Sequence, residues 1–268
     1  MKNLSWQTKL VGGLLLFLPL YFGAAALGTK FGIWDWKFGL GTMVIGGGPI
    51  LLGIIAVVSL VLLVMALIRK PRHGWILPAI GLAVPLAIFA MLASMKGTAA
   101  ANPIHDVATD TAQPPQFSAE TLAARAEAGA NPLSDYQTPL RDIEMFKGYA
   151  ESDPQVAIKS HAQIITDSYA GLSPLPLGGA SKQDAVAAVA AAMGEMGFAD
   201  IRADNEAGIV EGVAETFWFG FRDDVVARVG DNEIDFRSVS RVGRSDLGAN
   251  AERVAKLRAA TASRIGQR

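Results

Sequence analysis

Along the chain, long apolar runs give way abruptly to mixed apolar and polar patterning. Residues 10–27, about 40–68 and 75–95 contain no charged side chain. Each run is long enough for the roughly 17–25 residues that a tilted helix needs to cross hydrocarbon. The pattern predicts a three-helix transmembrane segment over residues 1–98. Pro19, Pro49, Pro78 and Pro85 fall within these runs, where neighbouring helices can satisfy the carbonyls that proline frees. Gly46, Gly47 and Gly48 permit close helix approach or a flexible start to the second span. No strand precedes them, as a phosphate-binding loop would require.

Residues 99–268 read as a water-soluble domain. Lys96 to Asn102 looks like a short tether, and Pro114-Pro115 marks a stiff extended stretch. Ser118 to Ala128 predicts a short helix ended by Gly129, and Gln155 to Ser168 a longer one. Ser181-Lys182-Gln183-Asp184 opens a helix whose Val186, Val189, Ala190 and Met193 recur at helical spacing before Gly197. From Ile201 the period changes to two, and Ile209, Val213, Phe217, Phe219 and Phe221 predict a strand with one buried face. Asp223-Asp224 reads as the turn into Val225 to Val229, and Gly230-Asp231-Asn232 as the next turn, into Ile234 to Val242. A helix from about Asp246 closes the chain. The fold class expected is α+β, with an antiparallel sheet and packed helices.

Charge sharpens the division. Residues 1–98 hold 8 Lys and Arg against one acid, Asp35, whereas residues 99–268 hold 16 bases and 24 acids. Lys2 and Lys9 precede the first span, and Arg69, Lys70 and Arg72 lie between the second and third. The positive-inside rule makes both flanks cytoplasmic. The expected setting is a multi-pass bacterial inner (cytoplasmic) membrane protein with a cytoplasmic N-terminus and a periplasmic C-terminal domain. Phe31, Trp34, Trp36 and Phe38 form an aromatic belt in the external loop. A second reading makes Met1 to about Ala26 a cleavable signal, which leaves two spans and the same external domain. There is no cysteine, so disulfides, thiol nucleophiles and cysteine metal sites are excluded.

The runs GFRDDVV at 220–226 and DFRSVSRVGRSDLGANA at 235–251 resemble the signature of the domain of unknown function 1499 family, and the likeness extends over about residues 102–266. Members with this look often carry membrane spans ahead of the domain. The resemblance implies the architecture and assigns no reaction. His161 departs from the more ordinary polar residue expected at its position.

Arg237, Arg241, Arg244, Ser245, Asp246 and Asn250 form the densest polar cluster. On a regular strand Asp235, Arg237, Val239 and Arg241 share one face, and Arg244 follows close to a helix N-terminus, where free N–H groups attract anions. Two readings stay open: an anion-binding site, or a structural set in which Arg237 and Arg241 pair with Asp223, Asp224 or Asp235, Ser245 or Asp246 caps the helix and Asn250 satisfies buried backbone. His105 and Asp106 with Asp110 are catalytic candidates, although this set lacks a strong third metal partner. His73 is explained by solvation at the membrane surface. No serine sits in a Gly-x-Ser-x-Gly elbow, and no metal or cofactor is called for. Residues 99–221 carry 6 bases against 17 acids, which argues against nucleic acid. Three spans without an internal ionisable residue argue against a transporter. The expected partners are the lipid bilayer and an anionic or lipidic ligand or envelope protein. The leading reading is a non-enzymatic cell-envelope protein; the alternative is an envelope hydrolase with a His/Asp/Arg site.

Overall fold

The computed structural model describes residues 5–70 and 74–266. Lys2, Arg72 and His73, used above, lie outside them. The chain divides into two compact units, one of residues 1–96 with 216–220 and one of residues 97–215 with 221–268.

The first unit contains three elements long and apolar enough to span a membrane. Helix α1 covers Trp6–Lys30 and is capped by the Ser5 hydroxyl, which accepts from the Thr8 N–H. A π-helical segment, Lys37–Gly47, runs directly into α2, Gly48–Ile68. Helix α3 covers Ile76–Ala101. Lys96 to Ala101 is therefore helical, where a tether was expected. The alanines at 99–101 have high helix propensity and extend the span beyond its apolar run. Leu18, Leu52 and Ile55 form the buried centre of the three helices. The glycine run acts in packing: a Cβ on Gly47 would collide with the Tyr21 hydroxyl. That hydroxyl donates to the Met43 carbonyl at 3.0 Å.

In the second unit, strands β1 (Asp106–Ala108), β2 (Leu175–Pro176), β3 (Ala199–Asp204), β4 (Ile209–Glu215), β5 (Arg222–Val229) and β6 (Glu233–Ser240) form one antiparallel sheet. The order is β1-β6-β5-β4-β3, with β2 also on β6. Helices α4 (Ala119–Glu127), α5 (Tyr149–Ser152), α6 (Pro154–Ala157), α7 (His161–Ser168), α8 (Lys182–Glu195) and α9 (Ala249–Ile265) surround it. Val186, Val189 and Met193 of α8 and Val254 and Leu257 of α9 pack on Val210, Val225, Ala227 and Phe236, making the main core on one face.

Three further expectations are corrected. The predicted helix over 155–168 is two helices, because Ser160 starts α7 afresh in a capping box with Gln163. The alternating strand stops at Glu215, so Phe217 and Phe219 lie in a loop that Gly220 closes at φ 62°. Asp223 and Asp224 are buried inside β5 rather than in a turn. Ion pairs with arginines supply what a solvated turn would have provided.

Candidate functional site

Alternation along β6 sorts its side chains by face. Asp235, Arg237 and Val239 stand opposite Arg228, Val226 and Asp224 of β5, and directly paired residues share a face. This face lies away from the α8–α9 core and is largely ionic. Segment 109–136, with α4, covers it: Phe117 packs on Val226 and Val239.

Arg237 is 1% exposed and meets Asp106 of β1 with two nitrogens, Nε to Oδ1 at 3.0 Å and Nη2 to Oδ2 at 2.7 Å. It also donates to the Pro115 carbonyl, and the Tyr136 hydroxyl donates to Asp106. Burial alone would raise the Asp106 pKa, but the charge and hydrogen bonds of Arg237 outweigh it and hold the carboxyl below its ordinary range. Burial keeps the Tyr136 phenol protonated far above its usual value.

Arg241 and Arg125 converge on one carboxylate. Arg241 Nη2 lies 2.6 Å from Asp224 Oδ1, and Arg125 Nη1 lies 2.5 Å from Asp224 Oδ2. Arg244, by contrast, is exposed and forms no ion pair among the described residues. It acts electrostatically on Tyr149. The turn that carries it also exposes Val242 and Leu247, and Leu247 takes the left-handed φ of 56°. A leucine held there is strained by about 1–3 kcal/mol.

The helix N-terminus is taken by the chain itself. Asp246 accepts from the N–H groups of Gly248 at 2.8 Å and Asn250 at 2.9 Å, and burial raises its pKa. Ser245 donates to the Asn102 carbonyl. Asn250 is fully buried: it accepts from the Ser238 hydroxyl and donates to the His105 carbonyl at 3.0 Å. Arg253 of α9, which sequence reasoning passed over, joins this set and pairs with Asp223 at 2.6 Å.

Thus the structure places the predicted residues in three settings. Arg237 and Arg241 are committed to carboxylates, Ser245, Asp246 and Asn250 bind backbone, and Arg244 faces solvent.

His105 and His161 are both buried, with rings 5.9 Å apart and edge-on. His105 Nε2 lies 3.0 Å from the Pro132 carbonyl, and His161 Nε2 lies 3.1 Å from the Ser134 hydroxyl. Among the described residues neither Nδ1 has a hydrogen-bond partner. Burial lowers both pKa values, that of His161 to about 4. His105 and Asp106 are adjacent in sequence, but the Asp106 carboxylate is spent on Arg237 and Tyr136. Asp110 lies apart from them, bound to Arg228. Among the described residues no group of three ligands suits a metal ion. The role of Arg125 was invisible in the sequence, since only the fold brings α4 over β5.

A family model described as a protein of unknown function, DUF1499, matches residues 106–261, more than half of the chain. The chain belongs to the DUF1499 family. The matched region runs from β1 into α9 and so takes in both faces of the sheet. No curated protein and no solved structure matches the chain. The expected membership and the α+β architecture behind three apolar helices are thereby found together in one DUF1499 protein.

Proposed function

We propose that this DUF1499 protein is anchored in the inner membrane of a bacterial cell envelope, with its α+β domain on the periplasmic side. There the domain binds a small anionic or lipidic ligand, or a partner protein that carries such a group. The observation that carries the reading is the surplus of guanidinium at one end of the ionic face. Arg125 and Arg241 share the single Asp224 carboxylate, and Arg244 stands exposed three residues after Arg241. A planar guanidinium without a counter-ion recognises carboxylate or phosphate in two-pronged fashion. Exposed Val242 and Leu247 on the same turn add apolar contact, which suits a lipidic anion. The basic flanks Lys9, Arg69 and Lys70 support the orientation.

Thermal unfolding of the full chain in neutral detergent, with and without phosphate or a short-chain anionic phospholipid, tests this. The wild type should gain stability with the anion, Arg244→Ala should lose that gain, and Lys256→Ala, an exposed charge on α9, should keep it. No gain in the wild type, or an equal gain in Arg244→Ala, removes the reading.

One contact favours the alternative of an envelope hydrolase. Ser134 and His161 meet at hydrogen-bond distance, and burial keeps the imidazole neutral and able to accept a proton. Among the described residues no third group holds its Nδ1. Turnover of an ester probe by the wild type and its loss in Ser134→Ala would favour this reading; absence of turnover removes it.

A further inference from the structure

We infer that loop 216–220, between β4 and β5, is a membrane anchor whose Phe217 and Trp218 seat in the interfacial layer of a lipid bilayer. The two aromatic side chains are 63% and 55% exposed, and they stack edge-to-face on each other with ring centroids 4.9 Å apart. Glu215 and Arg222 pair across the base of the loop at 3.3 Å, and the Gly220 N–H returns to the Thr216 carbonyl at 3.1 Å. The tip is thus a closed, braced loop that presents two large aromatic faces to the outside. Exposed Trp and Phe on a braced tip suit the headgroup level, where the ring meets hydrocarbon and the indole N–H meets water.

The bilayer is favoured as occupant by what the loop touches. Residues 216–220 cluster with the membrane unit. Lys30 Nζ donates to the Phe217 carbonyl at 2.9 Å and lies 3.6 Å from the centre of the Phe217 ring. Lys30 is the last residue of α1 and the first charged residue after its apolar run, so it marks the level at which that span leaves hydrocarbon. Phe31, Ile33 and Phe38 are exposed at the same end of α1. The loop therefore continues the aromatic belt with residues nearly two hundred positions away in sequence. The cationic Lys30 beneath it complements anionic headgroups.

This inference rests on insertion of the three apolar helices, and the experiment separates the two. The chain has no cysteine, so one introduced thiol carries a fluorophore at a unique position. Full-length Trp218→Cys, Phe31→Cys and Leu122→Cys are labelled and reconstituted into vesicles of phosphatidylcholine and phosphatidylglycerol. Their quenching by lipids spin-labelled near the headgroup is then compared with quenching by aqueous iodide. Leu122 is an exposed position on α4. The label at 218 should be quenched by shallow spin-labelled lipid several times more than by iodide, as at 31, whereas the label at 122 should respond to iodide. If the label at 218 responds to iodide as strongly as that at 122, or is shielded from both quenchers as a protein partner would shield it, the inference is overturned. Failure of all three variants to float with the vesicles overturns membrane insertion itself.

Discussion

Arg237 on β6 and Asp106 on β1 face each other across the sheet edge in a two-pronged pair that solvent does not reach. The pair joins the start of the domain to its last strand, residues 131 apart in sequence.

Removing one partner leaves the other charge buried alone. Asp106→Asn or Arg237→Met should each cost about 3–5 kcal/mol. The double variant should cost clearly less than the sum, because it strands no charge. Chemical unfolding of the full chain in detergent, run as a double-mutant cycle, measures the difference.

Acid should weaken the domain through its histidines. The His161 pKa in the fold is about 4, against an ordinary 6.5, because burial disfavours the cation and His105 opposes it; Asp106 and Asp135 act the other way and Arg237 adds to the depression. The unfolded chain therefore takes up a proton first as pH falls. This contribution to stability is whole above about pH 6.5, declines as pH drops and is gone below about 4, a total of about 3 kcal/mol. His105 shifts in the same direction. The melting temperature of the wild type should fall steeply across that window, and that of His161→Phe should fall less.

Helix packing in the three-helix unit depends on Gly81. A Cβ there would run into Ser59 and Val11. Gly81→Val should cost about 1–3 kcal/mol by overpacking, and Gly13→Val, at a position with open space, should cost much less. Resistance to unfolding in denaturing detergent would rank the two.

Leu247 holds a left-handed backbone at the turn before α9. Leu247→Gly should relieve about 1 kcal/mol of that strain, which would raise the melting temperature. If the turn binds a lipidic anion, the same variant should weaken the stabilisation that the short-chain phospholipid gives.

What was legible in the sequence was whatever depends on neighbours in the chain. Uncharged runs of span length, the Ser181 helix start and the alternation from Ile234 each report a local pattern, and the structure contains them, although the strand ends at Ser240 and not at the expected Val242. The family resemblance had the same character, a contiguous run now matched over residues 106–261. The partition of the arginines was not local. From spacing alone Arg237 and Arg241 look equivalent. Only the pairing of β1 with β6 brings Asp106 to Arg237, and only the cover of α4 brings Arg125 to Asp224. Likewise Asp223-Asp224 has the composition of a turn, and a strand accepts it because tertiary partners neutralise both carboxylates. Periodicity is written by what a residue does every two or four positions. A buried ion pair is decided by which distant segment arrives, since desolvating either charge is favourable only once its counter-ion is in place.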